Sequence, residues 1–324
     1  MATIHDAYFG VADETTYGTA VAPKNFFEFT DEGIEGKYER IDSEAIRAGS
    51  RVLRADRFAP NPKGAEGDVT MEVQSAGFEF WLKHMLGSVS AGAPTGGFTT
   101  HTATLGDLNG KSFTAQVGRV DSAGAKTPFT YEGGKVKEWE LSNAVDELLK
   151  LTATMDFAKE TIGAGTGAYA TATPTYVANA KLFSFAGGSV TVAGSAFQIN
   201  DFSLKATNGL KDDRYFISNA GKKAEPLESD LRKYEWSIKG EFDGTAHVKR
   251  VAAALASGAV ADISVKWDGP DGSELTVSMP FARFDSGPVN VGGYDVISQD
   301  LSGLALTDGT ASPVTITYKA VSGP

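Results

Sequence analysis

The pattern of apolar and polar positions changes period within one stretch, Asp68–Gly87 (DVTMEVQSAGFEFWLKHMLG). Val69, Met71 and Val73 alternate with Thr70, Glu72 and Gln74, the pattern of a strand with one buried face. From Phe78 onward the apolar positions are Phe78, Trp81, Leu82, Met85 and Leu86, a spacing that lines one side of a helix. The stretch therefore predicts a strand running into an amphipathic helix, with Ser75 as N-cap and Gly87 as the left-handed residue that ends it.

The same change of period recurs at Tyr234–Gly258 (YEWSIKGEFDGTAHVKRVAAALASG). Tyr234, Trp236 and Ile238 alternate with polar residues, and Val248, Val251, Ala252, Leu255 and Ala256 then take the helical spacing. Asp243 stands in the place of Ser75, and Gly258 in that of Gly87. Phe78 and Val248 are 170 residues apart, as are Leu86 and Ala256. A constant offset argues for a duplicated domain. Phe78, Trp81, Leu82 and Met85, with Val248, Val251 and Leu255, are expected to pack each helix on its sheets.

Elsewhere the chain reads as short strands: Phe26–Phe29, Phe113–Val117, Lys135–Leu141, Leu149–Phe157, a hairpin over Lys181–Val192 turning at Gly187-Gly188, Phe197–Ala206, Ile263–Trp267, Leu275–Met279, Val289–Leu306 and Val314–Tyr318. Two charged excursions interrupt them. Asp31–Gly67 carries Arg40, Arg47, Arg51, Arg54 and Arg57 among carboxylates, and Asn208–Asp230 carries Lys211, Asp212, Asp213 and Arg214. Loops of this length are functional or solvated excursions. Between Ala158 and Ala180 the composition shrinks to Gly, Ala and Thr, which places a domain boundary there and divides the chain into 1–160 and 161–324. The expected fold is mainly β, two tandem domains each with one flanking helix and a long loop.

Composition narrows the chemistry. The 324 residues, 41% apolar with 37 glycines, suit two globular cores built from strands and turns. With no cysteine there is no disulfide framework and no thiolate metal site. A net charge of −11 has the wrong sign for gripping phosphates and is otherwise an aid to solubility. The first residues lack the pattern of a signal peptide, and no apolar run is long enough to span a membrane as a helix. Four histidines are scattered, with His84 and His247 on the predicted polar sides of the two helices and no metal-ligand spacing around them. Gly163–Gly167 lacks the strand-to-helix context of a phosphate loop and reads as a linker. Asp31-Glu32 and Asp212-Asp213 are ordinary in surface turns, and no GxSxG is present. No enzyme, cofactor or metal is expected. The tryptophans Trp81, Trp139, Trp236 and Trp267 are expected in cores, Trp139 standing out for its polar neighbours Glu138 and Glu140.

YFGVADETTYGTAVAP near the start, the Asp68–Gly87 element, and VKWDGPDGSELTVSMPFARFDSGPVNVGGYDVISQDLSGLAL near the end resemble the phage tail tube proteins, the major tail proteins of long-tailed phages. That resemblance covers nearly the whole chain. It implies packed β-sheets flanked by a helix, and subunits closing into rings whose inner sheets form a barrel around a lumen. Rings stack into a tube through which DNA passes into the host without specific binding. The implied partners are copies of the chain itself, the tail tip or baseplate, the tape measure and the tail terminator. Its place is the virion tail, reached by assembly in the host cytoplasm. Most members carry one domain and make hexameric rings; two domains imply trimeric, pseudo-hexameric ones. On this reading the arginines of Asp31–Gly67 and the Lys211–Arg214 cluster are expected to stack rings, and Glu138 and Glu140 to face the lumen. A carbohydrate-binding or adhesin-like β-sandwich on a surface is the alternative, and it would show exposed aromatics on one sheet.

Overall fold

The computed structural model describes residues 4–219, 222–291 and 296–321. In its first half lie β1 (Tyr8–Asp13), β2 (Asn25–Phe27), β3 (Asp31–Glu32), β4 (Glu35–Asp42), β5 (Phe58–Glu72), α1 (Glu79–Leu86), β6 (Gly87–Ala91), β7 (Phe98–Leu105), β8 (Phe113–Val120), β9 (Lys126–Ala144), β10 (Lys150–Phe157) and β11 (Lys159–Ile162). The second half holds β12 (Gly188–Val192), β13 (Ser195–Ala196), β14 (Ile199–Thr207), β15 (Leu210–Lys211), β16 (Leu227–Glu228), β17 (Lys233–Glu241), α2 (Ala246–Ser257), β18 (Ala261–Asp268), β19 (Glu274–Ser286), β20 (Ser298–Ala305) and β21 (Thr315–Val321). All but β15 and β16 join one antiparallel network. Alternation explains the strands: along β17 every second residue is buried, with Tyr234, Trp236 and Ile238 inward and Glu235, Ser237 and Lys239 outward.

Each half uses one long strand to pass between two sheets. β9 begins beside β8 and ends between β10 and β14. β19 begins between β18 and β21 and ends on β20. The bend in β9 lies at Gly133-Gly134, where Gly133 has φ +70° and an added Cβ would stand 2.9 Å from the Ala158 side chain. Only glycine suits both constraints. Trp81 of α1 fills the first core, stacked on Phe9 at 6.1 Å and edge-on to Phe113 at 6.0 Å.

The two halves share their sheets. Glu138–Ala144 of β9 pairs with Asp201–Thr207 of β14, and β21 pairs with β7. Trp267 donates its indole N–H to Asn143 at 2.8 Å across the same junction.

Several expectations change. Most of Asp31–Gly67 is no loop: β4 and β5 form an antiparallel hairpin around an irregular tip, Ser43–Arg57. Its outer part is exposed on both faces, so no buried face imposes an apolar alternation. The first strand is Tyr8–Asp13, ahead of Phe26. Neither predicted N-cap serves: the caps are Phe78 and Thr245, without side-chain bonds, because a turn separates each strand from its helix. Ser75 instead accepts the Lys181 N–H at 2.9 Å. Gly87 and Gly258 do end the helices in the left-handed conformation, at φ +94° and +69°. The turn expected at Gly187-Gly188 lies at Ala193-Gly194, closing β12 on β13. His84 and His247 are buried rather than polar-facing, because each ring packs on a phenylalanine, Phe80 and Phe197. Of the strand expected over Val289–Leu306, Ser298–Ala305 forms, Val289 makes an isolated bridge to Gln299, and 292–295 lie outside the described residues.

Candidate assembly face

The outward face of the shared sheet carries polar rows that cross both halves without a break. One runs Asp31, Thr70, Thr152, Glu140, Lys205, Glu235, Leu304, Arg283, each residue paired with the next. On one side lies Glu72, Lys150, Ser142, Ser203, Ser237, Ser302, and on the other Asp68, Thr154, Glu138, Thr207, Lys233. A shorter row is Ala144, Asp201, Lys239, Asp300. Counted over these rows, eight carboxylates face five cations. Glu138 and Glu140 sit at the centre, on the junction strand: Glu140 accepts the Ser203 hydroxyl at 2.6 Å and Glu138 lies 3.5 Å from Lys205 Nζ. The opposite face is apolar, and the four tryptophans are all buried there or in the cores beneath.

The ends of this sheet are open. Among the described residues β3 and β4 pair only with β5. Among the described residues, the edge of β19 that faces away from β20 pairs with no strand past Ala282. These ends correspond to the two sides of the internal junction. Glu32 pairs with Val69 and Gly36 with Ala65 on the side of β5 away from β10, so β3 and the start of β4 take on β5 the place that β14 takes on β17. Beyond the end of β19, Val289 bridges Gln299, so this edge takes on β20 the place that β9 takes on β10.

The two charged excursions fare differently. Asn208–Asp230, of which 220–221 lie outside the described residues, folds back onto the first half. Lys223 pairs with Asp156, both buried, and Lys137 with Asp212. Lys135, 2% exposed at its side chain, pairs with Glu225 at 2.5 Å. Tyr215 donates to the Lys63 carbonyl at 2.8 Å, and Arg232 donates to the Leu86 carbonyl at 3.0 Å. Burial pushes the Asp156 carboxyl up to about 6 against the pull of Lys223, and pushes Lys135 down against that of Glu225. Lys211 meets Asp213 at 3.1 Å, and Arg214 donates to the Glu225 carbonyl.

Ser43–Arg57 bonds largely within itself. Arg54 pairs with Asp56 at 2.9 Å, Arg40 with Asp42 at 2.7 Å, and Arg47, Arg51 and Arg57 are exposed. Ile46, Val52 and Leu53 stand beside them, 103%, 80% and 66% exposed.

Of the helix positions, Phe78, Trp81, Leu82 and Met85 are buried and Val251 is half-buried. Val248 and Leu255 are not packed: α2 rests on β19 through its other side, burying His247 and Ala254. Near α1, His84 donates its Nε2–H to the Asp13 carboxylate at 2.8 Å, which Lys83 also meets at 2.8 Å. Burial pushes the Asp13 carboxyl up, but His84 and Lys83 outweigh it and hold it at about 2, while burial pushes His84 down. Lys135, Asp156, Lys223, Glu225 and Arg232 were not singled out by the sequence, since their partners lie tens of positions away and no local spacing marks them.

A mainly β chain with two strand–helix plans merged into one polar-faced sheet has the build of a structural protein. The profile of the family described as "Phage tail tube protein" matches residues 5–305, and the chain belongs to that family. It is thus a structural component of a phage tail. A search of curated proteins found no match.

Proposed function

We propose that copies of this chain close into rings by repeating, between chains, the junction that already joins its halves. The carrying observation is the strand order: Glu32–Gly36 lies beside β5 at one end of the sheet as β14 lies beside β17, and the edge around Val289 lies beside β20 at the other end as β9 lies beside β10. Unpaired strand edges are templates for another strand, and closure into a barrel removes them. Contacts of this head-to-tail kind close when the rotation closes. Three chains supply six sheet segments, a trimeric, pseudo-hexameric ring.

Rings stack into the tail tube, with the polar rows and their Glu138 and Glu140 toward the lumen. An acidic wall offers DNA no counterion release, so DNA slides through to the host. The Ser43–Arg57 tip stacks rings through Arg47, Arg51, Arg54 and Arg57; the clasp on Asn208–Asp230 leaves that excursion, with Lys211 to Arg214, a role within the ring. The tail tip or baseplate, tape measure and terminator proteins are the other partners, met in the host cytoplasm during assembly. Electron microscopy of purified assemblies, with the mass of single rings, tests this: three chains per ring are expected, and six chains or a discrete monomer would overturn it. Glu138→Lys with Glu140→Lys should slow DNA ejection from particles; unchanged kinetics would remove the lumen assignment.

A further inference from the structure

We propose that the bare face of α2 is covered by the first half of a second copy, an inference that rests on the ring reading above. Residues 170 positions apart make the contrast: Phe78, Leu82, Met85 and Leu86 are at most 2% exposed, whereas their counterparts Val248 and Leu255 are 40% and 77% exposed and Ala252 and Ala256 are also exposed. Helix position is repeated; its cover is not.

The cover of α1 comes partly from across the internal junction. Tyr318 of β21 meets Phe78 edge-on at 5.7 Å and donates its hydroxyl to the Gln74 carbonyl at 2.8 Å. Val321 donates its N–H to the Ser75 carbonyl at 3.0 Å, and Arg232 reaches the helix end at Leu86. A hairpin, β6–β7, adds the rest, while α2 leads almost directly into β18.

By the repeat, what lies beyond the second half is the first half of another copy. Its β11 is the counterpart of β21, since Ile162 opposite Phe129 on β9 repeats Ile316 opposite Val277 on β19. Ile316 is fully buried, and Ile162 is 55% exposed. So placed, Ile162 would stand near Val248 as β21 stands near Phe78. Apolar positions are therefore bare in one chain at the places that meet when the junction is repeated. Burying such surface stabilises association without any directional partner.

The chain has no cysteine, so introduced thiols report cleanly. Ile162→Cys and Val248→Cys, carried on separate chains, mixed and treated with a short bis-maleimide, should give a species of twice the chain mass that neither variant gives alone. A linker is used because the contact it copies, between two aromatic rings, exceeds the span of a disulfide. Leu255→Asp should raise the concentration needed for ring formation about tenfold or more, since an aliphatic side chain loses its burial. Unfolding of the monomer should be unchanged, because Leu255 is exposed there. Rings that form at the unchanged concentration with Leu255→Asp and give no Ile162–Val248 linkage would overturn this inference and leave the ring reading standing. Linkage of Val248→Cys to another virion protein in place of Ile162→Cys would also overturn it. Wild-type chains that form no rings would remove both.

Discussion

Ser43–Arg57 and Asn208–Asp230 follow equivalent strands in the two halves, and both are rich in charge, but only the second has something to fold against. Its cations and carboxylates meet partners on the first half, two of the pairs largely dry, and its Tyr215 hydroxyl, with Arg232 just beyond it, bonds the Lys63 and Leu86 carbonyls. The first excursion has the same kind of residues and no second-half surface of its own chain beside it. Fold and charge are shared, so the difference is one of position: the second half has a neighbour within the chain on that side, and the first half has one only in the proposed ring. The helices repeat the lesson, α1 covered and α2 bare.

Core truncation separates the halves most. Trp81→Ala should cost about 3–5 kcal/mol in chemical unfolding, whereas Leu255→Ala on the other helix should cost less than about 1 kcal/mol. A loss at Leu255 as large as that at Trp81 would mean that α2 is packed within the free chain.

Lys223→Met should come next, at about 2–4 kcal/mol, because it strands the buried Asp156. Protonation of Asp156 limits the damage, and adding Asp156→Leu should restore most of the loss, as apolar replacement of both partners does for buried pairs. Arg54→Ala, in the exposed tip, should stay within about 0.5 kcal/mol. A double variant no better than Lys223→Met would show that the clasp does not depend on this pair.

Acid supplies a third contrast. Burial holds His84 neutral, so below its ordinary value of 6.5 the unfolded chain binds more protons and stability falls as pH drops. Asp13, held at about 2, adds a further loss only as pH falls from its unfolded value of 3.8 toward 2. Urea midpoints at pH 7 and 5.5 should show a smaller drop for His84→Gln than for the wild type; equal drops would exclude His84 as the sensor. The smallest effect on the free chain should come from deleting Arg47–Arg57, which leaves a folded monomer that makes no tubes. Normal tubes from that variant, seen by electron microscopy, would take stacking away from the tip.

Much of the architecture was legible in local pattern. Alternation marked β5, β10 and β17, and the 170-residue offset marked the strand–helix repeat before any coordinates. The hairpin of β4 and β5 was missed because exposed ribbons need no apolar alternation. The histidines were misplaced because an imidazole is counted as polar, although its ring packs on phenylalanine and, in His84, a carboxylate takes one ring N–H.

By itself the sequence determined which residues face inward along β5, β10 and β17, where each helix stops, and that the strand–helix pattern occurs twice, since all three follow from the periods and punctuation of neighbouring residues. Tertiary structure alone decided that the two units share a sheet through Glu138–Ala144 and Asp201–Thr207, that Lys223 finds Asp156, and that α1 is covered while α2 is not. Register between distant strands and the pairing of charges far apart in the chain depend on which surfaces meet, and no local spacing encodes that.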